Sequence, residues 1–128
     1  MNAILDTHIF LWWITDDPKL SIATREIIKD ARNELFFSAA SAWEISIKAS
    51  LGRIQLPRKP GLFITEHLDK NSILALPILF SHALHVYNLP MHHTDPFDRM
   101  IIAQAQLENL TIITADPQFS AYNVKIKY

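Results

Sequence analysis

Short apolar runs alternate with longer amphipathic stretches along the whole chain. Residues 2–5, 34–38, 73–76 and 111–114 are each too short for a buried helix and rich in strand-forming residues, and 124–127 reads as a fifth, edge strand. Between them lie helical stretches. They cover 7–13, then 22–31 with Ser21 as cap, 39–51 ended by Gly52, 62–71, 81–88, and 96–109 with Pro96 in its first turn. Strands alternating with helices of this length predict an α/β fold. The expected form is a three-layer α/β/α sandwich whose mainly parallel sheet has four to five strands. The chain of 128 residues shows no repeat or linker, so residues 1–128 read as a single domain.

Residue counts remove several function classes. The chain has no cysteine, which excludes thiol nucleophiles, zinc–thiolate sites and disulfides and fits a cytoplasmic location. Its only glycines are Gly52 and Gly61. Gly-rich dinucleotide turns, Walker-type phosphate loops and the Gly-x-Ser-x-Gly elbow each need glycines at set spacings, so none can be built. No apolar run reaches the roughly 18 residues of a membrane span, and the start lacks the basic region and cleavage site of a signal peptide.

Four acids stand at equivalent places in this alternation. Asp6 ends the first apolar run, Glu44 lies early in the helix after the second, Asp98 opens the helix before the fourth, and Asp116 follows that strand. In such folds these places meet at the carboxyl ends of the strands. Glu44 falls on an apolar stripe formed by Ala40, Trp43, Ile47 and Leu51, and Asp98 shares a face with Ile101, Ile102 and Ala105. Burying an acid there is costly unless it is paired or bound to metal. Each acid also has a local explanation. Asp6 is placed to cap a helix, Glu44 to pair with Lys48, Asp98 to face a helix start, and Asp116 to shape a turn with Pro117.

Four carboxylates gathered without a cation repel one another, so their coincidence points to a divalent metal. An all-oxygen donor set selects Mg²⁺ or Mn²⁺, and such sites act mainly on phosphate esters. Asp95 is a possible extra acid, and Thr7 and Thr114 are placed to hold a water or a carboxylate. His8, beside Asp6, is a weaker candidate base. His82, His85, His92 and His93 suggest a rival zinc site, but no His-Glu-x-x-His is present and nothing fixes a third ligand. The net charge of −1 is weak evidence against nucleic acid. Setting the four acids aside leaves nine of 13 against 12 Lys and Arg. The sequence cluster Lys48, Arg53, Arg58 and Lys59 reads as an ordinary solvated helix end and loop.

The ordered set of motifs resembles a PIN domain, in particular the toxin ribonuclease of a VapBC-type toxin–antitoxin pair. The matching pieces are Ile4-Leu5-Asp6-Thr7-His8, Ser38-Ala39-Ala40-Ser41-Ala42-Trp43-Glu44-Ile45, Asp95-Pro96-Phe97-Asp98-Arg99-Met100-Ile101-Ile102-Ala103-Gln104-Ala105 and Thr114-Ala115-Asp116. Each is weak alone, but their order and spacing cover nearly the whole chain. The resemblance implies Asp6, Glu44, Asp98 and Asp116 as catalytic metal-binding acids and about five parallel strands. It further implies an RNA substrate, an antitoxin partner laid across the helices near the site, and a homodimer. Two alternatives keep the fold: a catalytically silent interaction module, and another Mg²⁺-dependent phosphoester hydrolase. A phosphatase-like pocket would place a second acid beside Asp6, where Thr7 and His8 stand. Phe10, Leu11, Trp12 and Trp13 form an apolar surplus on one short helix. Some of them are expected to be core and the rest, Trp12 or Trp13 above all, to contact a partner.

Overall fold

The computed structural model describes residues 1–128. Its elements are β1 (Asn2–Leu5), α1 (Thr7–Ile14), α2 (Ile22–Lys29), β2 (Glu34–Ser38), α3 (Ala39–Ser50), α4 (Pro60–Lys70), β3 (Leu74–Leu76), α5 (Phe80–His85), α6 (Pro96–Glu108), β4 (Thr111–Ile113) and β5 (Ile126–Lys127). Two 3-10 turns, Val86–Asn88 and Pro117–Ala121, complete the chain. The strands form one sheet in the order β3-β2-β1-β4-β5, and every pairing is parallel. Strand and helix positions agree with the sequence reading to within about two residues. The largest shift is α5, which ends at His85 and continues as a 3-10 turn over Val86–Asn88; α4 starts at Pro60, because proline suits the first helical position.

Both faces of the sheet are covered, which explains why its central strands are apolar throughout. Ala3 and Leu5 point into one core with Leu35, Phe37 and Ile113, under Ile9 and Phe10 of α1, Ile28 of α2, Ile45 of α3 and Phe63 and Ile64 of α4. Ile4 and Ile112 point to the opposite face, under Ile101, Ile102 and Ala105 of α6. Phe10 stacks on Phe37 at 4.1 Å between ring centroids.

This topology fixes where a site can form. From β1 the chain steps outward through β2 and β3, then returns to place β4 on the other side of β1. The strand order reverses between β1 and β4, and a crevice opens at their carboxyl ends. Caps aim the flanking helices: Ser38 Oγ accepts from the Ala40 N–H at 2.9 Å to start α3, and Asp95 starts α6.

Two expectations need correction. Trp43 and Leu51 do not share a buried stripe with Ala40; they are 58% and 59% exposed. The buried face of α3 is Ala40, Ser41, Glu44 and Ile45, rotated by about one position. Trp12 and Trp13 are half-buried and pack against the first core, and Trp13 Nε1 donates to Asn71 Oδ1 at 2.9 Å. The most exposed apolar side chains lie elsewhere, among them Phe80, Leu84 and Tyr87 on α5 and the turn after it.

Candidate active site

Asp6, Glu44, Asp98 and Asp116 line one cleft of about 280 Å³ at the carboxyl ends of β1 and β4. His8, Lys48, His93, Thr94, Asp95 and Gln118 complete its wall, and none of the ten residues is apolar. A larger hollow of about 890 Å³ lies at the amino ends of β1 and β4, lined by Met1, Asn2, Thr111 and Lys125 among others. It gathers no acid, so its size carries no chemistry and the smaller acidic cleft is the candidate site.

Asp6 is 4% exposed and still belongs to the sheet, its backbone N–H donating to Ile113 O at 2.9 Å. It occupies the cap position of α1, yet its side chain caps nothing. Its Oδ2 instead accepts from Thr114 Oγ1 at 2.8 Å. Glu44, 5% exposed, is reached from two sides. Thr7 Oγ1 lies 2.8 Å from Glu44 Oε1 and 2.8 Å from Ser41 Oγ, and Lys48 Nζ lies 2.7 Å from Glu44 Oε2. The Lys48 pair expected as an ordinary helix contact is therefore present, but its acid is buried in the cleft. Thr7 and Thr114 hold carboxylates, one of the two roles anticipated for them.

The remaining acids divide by role. Asp95 Oδ1 accepts from the N–H groups of Phe97 and Asp98 at 2.9 and 3.0 Å, so it is the cap of α6. Asp98, two residues into that helix, makes no capping bond and turns its Oδ2 toward His93 Nε2 at 3.3 Å. Asp116 shapes its turn, as its local explanation held: Oδ1 accepts from the Gln118 N–H at 2.9 Å. Its own N–H donates to Thr114 Oγ1 at 3.0 Å, which ties it to Asp6. The histidines of the zinc rival are dispersed. His82 is fully buried against Glu108 and His85 bonds Gln106, whereas His93 belongs to the acidic cleft. Sequence reasoning missed Ser41, and it did not connect His93 with Asp98.

The acids feel one another. Burial pushes the Asp98 carboxyl up to about 8, with Asp95, Asp6, Glu44 and Asp116 adding like-charge repulsion. Asp6 is also raised, by burial above all, against opposing contributions from the Thr114 hydrogen bond and His8. As the side chains stand, no three carboxylates or histidines close around a common point. The donor set still fits a hard divalent cation, because it is all oxygen, concentrated in one cleft, and carries a cost of burial and repulsion that a cation offsets.

Similarity to known proteins agrees with this geometry. A family model described as PIN domain matches residues 3–125. Ribonuclease VapC22 of Mycobacterium tuberculosis is 31% identical over 122 residues, which are 94% of this chain and 92% of that protein. Ribonuclease VapC16 of the same organism is 34% identical over 62 residues; that match spans 48% of this chain and 44% of the relative. Among solved structures, VapBC2 from Rickettsia felis bound to a promoter DNA fragment aligns with a TM-score of 0.73 at 16% identity, over 99% of this chain and 98% of that one. VapBC-1 from nontypeable Haemophilus influenzae aligns with a TM-score of 0.64 at 21% identity, over 99% and 97%. The structural likenesses establish the fold, and the family match together with the near full-length relative establishes more: the chain belongs to the PIN domain family.

Proposed function

We propose that this protein is an endoribonuclease dependent on Mg²⁺ or Mn²⁺ and the toxin of a type II toxin–antitoxin pair, working in the cytoplasm. One observation carries the reading: four carboxylates from separate elements line a single wholly polar cleft in a PIN-family chain. Relatives named as ribonucleases and fold neighbours solved as VapBC complexes support it.

Asp6, Glu44 and Asp98 would hold the main ion, and Asp116 would complete the site or serve a second one. A bound divalent ion supplies a water of lowered pKa as nucleophile and positive charge for the phosphate. The chain's own residues prepare that chemistry. Thr114 and Thr7 fix the rotation of Asp6 and Glu44, so two ligands are oriented before the ion arrives. Lys48 is 36% exposed at the cleft edge and is positioned to meet an RNA phosphate once a metal takes over Glu44. The absence of apolar lining suits a sugar–phosphate backbone better than a small apolar ligand. An antitoxin would lie along Trp43 and Phe97, which pack edge to face at 5.2 Å and flank Glu44 and Asp98 in sequence. The homodimer implied by resemblance remains part of this reading.

The test is cleavage of a mixed RNA pool by the purified chain. Cutting is expected in Mg²⁺ or Mn²⁺, loss in EDTA and recovery on adding Mn²⁺, with Glu44→Gln folded but inactive. Undiminished cleavage in EDTA, or full activity of Glu44→Gln, defeats the reading.

A further inference from the structure

Arg99 is the only Arg or Lys among the buried residues, and it forms no ion pair. Its Nη1 donates to Pro90 O at 2.8 Å, Tyr122 Oη at 3.1 Å and His93 O at 3.4 Å, and its Nη2 to Val86 O and Leu89 O at 3.3 Å each. A buried cation met only by neutral acceptors is costly, and four of these five belong to the segment leading into the acidic cleft. Arg99 braces that segment against α6.

The brace dictates a proton position. Tyr122 Oη accepts from Arg99 Nη1 and from the His93 backbone N–H at 3.3 Å, which occupies both lone pairs. Its single proton is left for its third neighbour, His93 Nδ1, at 2.7 Å. An Nδ1 that accepts carries no proton, so the neutral ring holds its proton on Nε2. That nitrogen lies 3.3 Å from Asp98 Oδ2. Asp98 Oδ1 has no hydrogen-bond partner within the protein.

We propose that His93 is a positioning residue of the acidic site: locked as the Nε2–H tautomer by the Arg99–Tyr122 brace, it donates to Asp98 Oδ2, fixes the rotation of that carboxylate and leaves Oδ1 to the cleft. The inference rests on reading Asp98 as a metal ligand. It differs from a role in holding the loop folded, because the donated proton itself matters.

The discriminating experiment is calorimetric titration of Mn²⁺ into the wild type, His93→Ala, His93→Gln, His93→Asn and Tyr122→Phe, each with a metal-free melting curve. A glutamine amide reaches the place of Nε2–H, whereas an asparagine amide reaches only the place of Nδ1. Mn²⁺ affinity is expected to fall about 10- to 100-fold in His93→Ala and His93→Asn, and to recover most of that in His93→Gln. Tyr122→Phe, which frees the tautomer, is expected to lose several-fold. If His93→Ala unfolds, the contrast between Gln and Asn decides. Equal affinities for Gln and Asn, or wild-type affinity in Tyr122→Phe, overturn the role of His93. A folded wild type that binds no Mn²⁺ overturns the metal reading itself and this inference with it.

Discussion

The deep half of the acidic cleft and its rim are built differently. Asp6 and Glu44 are almost fully buried, and each carboxylate accepts a hydrogen bond at 2.8 Å from the hydroxyl of a threonine on a neighbouring element. Asp98 stands in the first turn of α6, and Asp116 caps the 3-10 turn after β4. Asp98 has one long contact, from His93, and otherwise like charges; Asp116 has spent an oxygen on its own backbone. The deep pair is therefore set by packing, as a catalytic group on a rigid element should be. The rim pair depends on what else enters the cleft. The deep acids are held by neutral hydroxyl donors, whereas Asp98 carries most of the like-charge repulsion in the cleft.

The strongest way to break that division is to remove each acid in turn. Asp6→Asn, Glu44→Gln and Asp98→Asn are each expected to slow RNA cleavage by at least about a thousandfold, the equivalent of losing roughly 4 kcal/mol of metal-assisted stabilisation. Their folds should survive, since a neutral amide lowers repulsion. Asp116→Ala should slow cleavage less, about 10- to 100-fold, with affinity for the first Mn²⁺ little changed. It should also lose about 1 kcal/mol of stability, because it removes the bond to Gln118. Asp116→Asn should regain the stability without the rate. Single-turnover cleavage, calorimetry and melting separate these outcomes. If Asp116→Ala loses all metal binding while folded, the distinction between deep and rim acids fails.

Which acid does what was partly written in the sequence. Asp95 and Asp116 each precede a proline, and both prove to be caps with proline at the first helical position. Asp6 and Asp98 lack that signature and cap nothing. The alternation of apolar runs located all five strands, since burial on both faces leaves no room for polar residues in the centre of β1 or β4. The phase of α3 was not legible from apolar residues alone. Its buried face carries Ser41 and Glu44, which a count of apolar positions overlooks, so the apolar pattern predicts Trp43 inward whereas the side chain faces out. The link between Arg99, Tyr122 and His93 was also invisible, because it joins residues up to 29 positions apart through side chains that show no local pattern.

A smaller effect sharpens the electrostatic side of the comparison. In the metal-free protein the Asp98 carboxyl is raised to about 8, so the folded state binds its proton more tightly than the unfolded chain does. That contribution to stability is complete below the ordinary carboxylate range of about 4 and is lost as pH rises through about 8. Asp6 acts in the same sense. Melting in EDTA should therefore be lower at pH 8.5 than at pH 5.5, and Asp98→Asn should flatten part of the slope. Asp30, lowered to about 2 by Arg32, changes charge well below this window. Mn²⁺ must displace the Asp98 proton, so its affinity should rise about tenfold per pH unit below 8. A stability that rises between pH 5.5 and 8.5 would mean that Asp98 is already ionised in the folded, metal-free protein.

The smallest expected effect concerns Lys48, the cation that touches the deep half. Its Nζ is 2.7 Å from Glu44 Oε2 and the side chain is 36% exposed, so solvent screens the pair and its net contribution is about 0.5 kcal/mol or less. Two roles can be told apart. If Lys48 stands in for the missing positive charge, a metal ion competes with it for Glu44. Lys48→Met should then bind Mn²⁺ a few-fold more tightly, melt slightly lower without metal, and show a higher KM for RNA as a phosphate contact is lost. If instead Lys48 only fixes the rotation of Glu44, the same change should weaken Mn²⁺ binding. The first outcome is expected, because Thr7 already holds the other oxygen of Glu44 from a neighbouring helix, with Ser41 supporting the hydroxyl. A carboxylate oriented by one fixed donor does not need a flexible lysine to orient it again, and a lysine able to leave is the one that an incoming phosphate can use.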